Sequence, residues 1–467
     1  MNAAMAAAPP VKIDIDNDLA PLKKLGFLYL IIFVYILISR ILDIHLSFLH
    51  LPLILSTLAA ITAIVSGTIL RGTESKVGIL YLVLTALFII GIPFAYWRGG
   101  VVDVLREHWF DTIMAWFLIT GLTLSYSQAK RLLNTIAYAV ITAGALGLVY
   151  GRLTAEGRLT LVQGRLANPN DYAATLLFGL PFIWRLFRSK SAFMRIGILV
   201  ATAPVFYCFA KTGSRSAVLG LIVMIILGIA QAPVITKIVS CVVVIVLAFG
   251  AVMFMPDHLR ARYLTFNNAN AADSFQDSTS QLAAGYAASS TESRMFVLKE
   301  SLDITLHHPI FGIGLGNFAA YENAAALQKA GHKGLWVGTH NTYTQLSSEA
   351  GIPGALVFIS ILVLCWRSMS KLYRKTRRDP RPAARDVYLT AVAMRLSLAS
   401  FCTFIFFEHA AYDVWCHVVT ACAVVVAREA NAHLARLNAA TQPAVVDLPF
   451  AAGGYAPSLI RRSPQHS

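Results

Sequence analysis

A chain of 467 residues that is 57% hydrophobic and 13% charged, with a mean hydropathy of +0.63, is too apolar for a water-soluble globular protein, in which about one-quarter of residues are charged. Its net charge of +15 would point to nucleic acid in a soluble chain. Here it reads as the Lys and Arg that fix topology in cytoplasmic loops, and no nucleic-acid partner is expected.

Apolar runs of about 20 residues recur along the whole length, as expected for helices that cross a bilayer. A membrane β-barrel would show short alternating segments instead. The fold class is therefore an all-α polytopic membrane protein with about twelve transmembrane helices. Residues 1–25 form a polar N-terminal segment containing Asp14, Asp16 and Asp18. The first apolar run, from Gly26 to Ile41, lacks a convincing cleavage site and reads as a retained helix. Spans fall near 26–42, 51–70, 77–97, 109–126, 132–150, 172–187, 196–210, 216–232 and 238–255, making a first block of nine over 26–255. A long polar loop occupies 256–342, and three more spans, near 343–365, 387–407 and 411–427, fill 343–427. The remainder, 428–467, holds Pro443, Pro449, Pro457 and Pro464 and reads as a disordered cytoplasmic tail.

Charge sets the orientation. With the N-terminus inside, the inner loops carry seventeen basic residues, from Arg71 and Lys76 to the dense run Arg367–Arg385. The reverse orientation would place all of them outside, so the positive-inside rule gives N-in, C-in. The loop 256–342 is then external. Its middle, Thr265–Ser290, is rich in Asn, Ala, Ser and Gln and reads as mobile. A helix is expected over Thr291–His307 from its apolar stripe, ended by Pro309 and a Gly312/Gly314/Gly316 turn. All six cysteines lie in apolar runs and none in this loop, so no disulfide is expected.

The informative residues are the basic ones that the topology leaves outside. Arg152, Arg158 and Arg165 lie in the short outer loop 151–171, and Lys211 and Arg215 in the next outer turn. Arg152 and Arg158 read as locally paired, for example with Glu156. Arg165 and Arg215 sit at headgroup depth beside spans, where a planar guanidinium suits a phosphate ligand. Arg294 lies on the expected loop helix, and alone it would read as a solvated charge. His340, just before a span, is of the type that serves as a general base near neutral pH, although a lone interfacial histidine is the blander reading. Asn341 follows it. Glu349, placed two turns inside the span, is a supporting candidate that could equally hydrogen-bond within the bundle.

Taken together, Gly213-Ser-Arg215-Ser, Glu292-Ser-Arg294, Pro309-Ile-Phe-Gly-Ile-Gly-Leu-Gly-Asn-Phe318 and His340-Asn341…Glu349-Ala-Gly-Ile-Pro-Gly354 resemble the O-antigen ligase/polymerase superfamily, in their order and their spacing around one long external loop. The resemblance implies a GT-C-like membrane fold and an inverting, metal-independent glycosyltransferase without cofactors in the bacterial inner membrane, its active site facing the periplasm. The donor it implies is a polysaccharide on undecaprenyl diphosphate, and the acceptor a sugar hydroxyl of lipid A–core. His340 matches the family's base, and Arg215 and Arg294 its motif arginines. Arg165 is added on position, and Lys211, Asn341 and Glu349 as supporting residues.

No metal site is expected. The outer loops hold no Asp-x-Asp pair, and the Asp14–Asp18 cluster reads as a solvated inner tail. Two other activities with the same donor stay open: O-antigen polymerisation and oligosaccharide transfer to protein. Transport of a lipid-linked sugar is the alternative of another class. It is disfavoured by the lack of inverted repeats and by the clustering of candidates on one face.

Overall fold

The computed structural model describes residues 20–43, 46–161, 164–239, 278–331 and 334–441, together with a few isolated positions between 241 and 260. It is an all-α membrane protein. Eight of the described helices are long and apolar enough to cross a bilayer, and Arg215–Gln231 is a shorter apolar helix beside them. The expected span 238–255 lies almost wholly outside the described residues, as do the Asp14–Asp18 cluster and everything beyond Thr441.

In chain order the first helices are α1 (Pro21–Ser39), α2 (Leu51–Val65) and α3 (Lys76–Gly91). Next come α4 (Arg98–Val104), which a π-helical turn joins to α5 (Phe110–Leu122), and α6 (Tyr126–Tyr150). A two-stranded antiparallel ribbon follows, β1 (Gly151–Leu153) against β2 (Leu159–Leu161). The sequence marks these residues only as a loop, because three-residue strands carry no usable periodicity. Then come α7 (Pro169–Arg188), α8 (Ala192–Lys211) and α9 (Arg215–Gln231).

The chain resumes at α10 (Ser278–His307), followed by α11 (Phe318–Ala330) and α12 (Thr342–Glu349). The last three helices are α13 (Gly351–Thr376), α14 (Pro382–Phe404) and α15 (Val414–Thr441). The helix α14 packs on α7, α9 and α13, and α15 packs on α5 and α13, so the late helices fill the centre of the bundle. Large side chains on α2 and α8, among them Leu53, Ile61, Phe193 and Leu199, remain exposed and suit a lipid surround.

Three expectations are corrected. The loop helix begins at Ser278, so Ser278–Ser290, expected within the mobile stretch, is helical. The chain stays helical to Thr441, so the segment after Arg428 is not a disordered tail as far as it is described. Finally, the span expected to start at 343 is two helices that break at Ala350. Gly351 follows the break with φ +72°, and a Cβ there would lie 2.3 Å from the Ile310 carbonyl oxygen. Glu349 therefore sits at the end of a short helix and not within a membrane span.

That break fastens α10 to α12. The backbone N–H groups of Ile313 and Gly314 donate to the carbonyls of Ser348 and Glu349, and Ile352 N–H donates to Pro309. Gly312, at φ +66°, lies so close that a Cβ would meet the Glu349 carbonyl carbon at 2.4 Å. Only glycine combines that approach with a left-handed backbone at little cost. The glycine-rich stretch is thus a joint that sets where α10, and the arginine it carries, can lie.

Candidate active site

Four segments meet at one end of the bundle: the N-terminus of α9, the face of α10 that carries Thr291 and Arg294, the residues leading into α12, and the turn 405–413 between α14 and α15. Their common point is Glu408, a carboxylate 5% exposed. Arg294 Nη2 donates to Glu408 Oε1 at 2.9 Å. Ser216 Oγ donates to the same oxygen at 3.4 Å. His340 Nδ1 stands 3.6 Å from Glu408 Oε2, within ion-pair range and beyond a formed hydrogen bond. Arg215 is buried, and its Nη2 donates to Thr291 Oγ1 at 3.0 Å, one turn before Arg294 on α10.

Local sequence explains this placement. Ser214 caps α9 by accepting from Ala217 N–H, so Arg215 is the first helical residue and leaves from the positive end of the helix. Asn341 caps α12, its Oδ1 accepting from Tyr343 and Thr344 N–H at 2.9 and 3.1 Å. This capping role fixes the chain one residue after His340. Thr342 ties α12 to the turn, donating to the Glu408 carbonyl at 2.7 Å and accepting from Ala410 N–H at 2.9 Å. His340 itself has φ +48°, a left-handed conformation that costs a non-glycine residue about 1–2 kcal/mol. Such strain persists only where the surroundings enforce it, and it concentrates at functional sites.

Burial pushes the Glu408 carboxyl up. The facing His340 ring and the Arg294 guanidinium outweigh burial and hold it below the ordinary carboxylate value. Glu408 is therefore an anion held by the Arg294 guanidinium, with the His340 ring facing its other oxygen. Arg294 Nε and His340 Nδ1 are buried and make no hydrogen bond among the described residues. A buried donor without a partner costs about 1–3 kcal/mol, so such atoms call for an explanation, of which a missing ligand is one.

The structure thus sets Arg294 and His340 against one carboxylate, while Arg215, the neighbour of Ser216, bonds to Thr291 one turn before Arg294. Asn341 and Glu349 support them from outside. Glu349 is buried, with Oε2 accepting from Tyr412 OH at 2.7 Å and Oε1 from Phe318 N–H at 3.3 Å, so it joins the glycine-rich joint to the turn bearing Glu408. Lys211 closes α8 with its ammonium 5.9 Å from the Tyr207 ring centroid, and no described contact links it to Glu408. Arg165 lies in the short 3-10 turn Gly164–Ala167, which Thr160 Oγ1 holds by donating to the Leu166 carbonyl.

Arg158, read as locally paired, does lie 4.0 Å from Glu156. Its stronger contacts run to the Thr212 carbonyl and to Asn170 Oδ1. It pins the ribbon against the turn that presents Arg215.

Glu408 and His409 were not anticipated. The signal was present: the turn between the last two spans holds only Glu408-His409-Ala410, and an ionisable residue at such a boundary calls for a functional or a partnered explanation. The His340 and His409 rings meet edge to face, centroids 5.1 Å apart.

Residues 198–359 match the family described as O-antigen ligase. That segment runs from α8 into α13 and includes Lys211, Arg215, Arg294, His340, Asn341 and Glu349, while Arg165, Glu408 and His409 lie outside it. No curated protein matches the chain.

Proposed function

We propose, from the premise that the chain is a member of the O-antigen ligase superfamily through residues 198–359, that it joins a polysaccharide carried on undecaprenyl diphosphate to a sugar hydroxyl of lipid A–core. The reaction takes place at the periplasmic face of the bacterial inner membrane. The observation that carries the reading is the convergence of Arg294, His340 and Ser216, the neighbour of Arg215, on Glu408 from segments up to 192 residues away in the chain.

In this reading Arg215 and Arg294 bind the donor diphosphate. Their charge and the α9 N-terminus stabilise the negative charge that develops on the leaving phosphate as its bond to the anomeric carbon breaks. His340 takes the proton of the acceptor hydroxyl while the oxygen attacks the anomeric carbon from the opposite side, inverting its configuration. Glu408 stabilises the imidazolium that results. Positive charge at the diphosphate comes from side chains, so no metal is required. Arg165, just before α7, and Lys211, at the end of α8, contribute to holding the donor, with smaller effects. The orientation follows from charge: Arg188, Lys190 and Arg195, with the run from Arg367 to Arg385, gather at the end of the bundle away from Glu408, as cytoplasmic loops should.

The test is transfer by the purified full chain in detergent, with a lipid-diphosphate glycan and a lipid A–core acceptor in the presence of EDTA. Product should form, and should be lost in His340→Ala. Lengthening of the donor glycan without acceptor modification would replace ligation by polymerisation. Transfer at the normal rate by His340→Ala would remove the general-base assignment.

A further inference from the structure

We propose that His340, Glu408 and His409 form a binding site for a zinc-class divalent cation, and that an ion bound there silences the site. The inhibitory consequence rests on His340 being the general base, while the binding itself does not.

Each of the three residues offers one ligand atom, and these atoms all lie within 4.8 Å of one another. Ligand atoms about 2.1 Å from a tetrahedral ion stand about 3.4 Å apart. His340 Nδ1 and Glu408 Oε2, at 3.6 Å, already meet that separation. His409 is the exposed member, and its ligand nitrogen already lies within 4.8 Å of the other two ligand atoms. The two rings are inclined at 71°, so they are not stacked and can aim nitrogens at a common point. The carboxylate is held from behind: Arg294 and Ser216 occupy Oε1, which leaves Oε2 on the histidine side.

The donor set selects the ion. Two imidazoles and one carboxylate suit zinc, cobalt or nickel, whereas magnesium and calcium take oxygen ligands and rely on ligand charge. Only one of the three ligands is anionic, and Arg294 lies 2.9 Å from it. Hard cations are therefore repelled with little compensation, while nitrogen donation holds a softer one. A fourth position faces solvent on the His409 side.

The effect on the reaction follows from the ring. An imidazole bound to an ion through Nδ1 carries its hydrogen on Nε2 and can donate there but not accept. His340 so occupied cannot take a proton from the acceptor.

The experiment uses the purified full chain in detergent, stripped with EDTA and then dialysed. Cobalt(II) is titrated in and read by its visible absorption, and zinc is then added to displace it. One cobalt per chain should bind, zinc should bleach the band, and a large excess of magnesium should not. His409→Phe keeps an aromatic ring against His340 but removes a ligand, and should weaken cobalt binding by at least about 100-fold, since even outer-sphere partners of metal ligands are worth 10–100-fold. Transfer by the unsubstituted chain should fall on adding zinc and return with EDTA, whereas the transfer that His409→Phe retains should resist zinc. Absence of a cobalt band, or binding that His409→Phe leaves unchanged, would overturn the site. Zinc that binds but stimulates transfer would overturn the inhibitory role. The absorption reads the site even in a chain that shows no transfer, so failure of the site and failure of the proposed reaction are distinguishable.

Discussion

Arg428 and Arg185, on one side of the bundle, are paired differently from Arg294 at the other end. At the end away from Glu408, Arg428 donates to Glu429 at 2.8 Å, to the Arg71 carbonyl at 3.2 Å, and to the Thr120 and Thr123 carbonyls at 2.7 and 2.9 Å, so every guanidinium nitrogen is used. Arg185 behaves the same way, reaching Thr390, Asn134 and Asp386 with its three nitrogens. At the Glu408 end, Arg294 uses Nη2, and its buried Nε has no hydrogen-bond partner among the described residues. A single carboxylate there faces both Arg294 and His340. A satisfied network holds helices together. One that leaves a buried guanidinium nitrogen without a partner among the described residues keeps a donor in reserve, as the proposed diphosphate role of Arg294 requires.

The sharpest test of that contrast exchanges the two ends. His340→Ala should lower transfer by about 10²–10⁴-fold, the usual worth of a general base. Arg215→Ala should lower it by about 10²–10³-fold. Both should leave the thermal midpoint in detergent close to that of the unsubstituted protein. Arg428→Ala should do the reverse. It leaves the buried Glu429 with Arg71 at 3.5 Å and strips a donor from three carbonyls, costing up to about 3–5 kcal/mol, and should lower the midpoint while transfer per folded molecule stays intact. If Arg428→Ala silenced folded protein, or His340→Ala merely melted, the division between the ends would be wrong.

Glu408→Gln probes the shared carboxylate itself. The amide keeps the shape and the contact with Ser216 but cancels the charge that Arg294 and His340 share. Arg294 is then freer for the diphosphate, so the donor KM should fall. The imidazolium loses its counter-charge, so kcat should fall too, by about 10–100-fold. A rise in KM with kcat unchanged would show that Glu408 serves binding alone.

Gly312→Ala acts at a distance. A Cβ would sit 2.4 Å from the Glu349 carbonyl carbon in a left-handed backbone, so the joint between α10 and α12 must open. The loss should exceed about 1 kcal/mol, with a drop in transfer because Arg294 travels with α10. Unchanged activity together with an unchanged midpoint would show that the joint does not position the site.

How much of this could be read from the sequence depends on the range of each signal. The spans were legible because apolar length is a local property. Arg215, Arg294 and His340 were legible because each breaks the charge rule or sits in a recognisable local motif. Glu408 was missed because its partners lie 68, 114 and 192 residues away in the chain; its place in a short turn between spans marks it as worth a partner but does not say which. Glu349 was noticed but misplaced, since the break that ends α12 comes from Gly351 meeting Ile310. Ser278–Ser290 was expected to be mobile from its composition, yet it extends a helix whose later turns pack on α12.

The smallest expected effect isolates the backbone of the proposed base. His340→Ala and His340→Gly remove the same imidazole, so both should abolish transfer. They differ in what φ +48° asks of the new residue. Alanine still pays the left-handed penalty of about 1–2 kcal/mol, and glycine does not, although glycine gives up about 0.5–1 kcal/mol through the extra freedom of its unfolded chain. The glycine variant should therefore be no less stable than the alanine variant, and up to about 1.5 kcal/mol more stable. A glycine variant clearly less stable than alanine would mean that the left-handed turn is not held under strain, and the surroundings would then have no need to force His340 towards Glu408. The expected order would instead mark His340 as a residue held in place against its own preference by Asn341, Thr342 and the turn that carries Glu408.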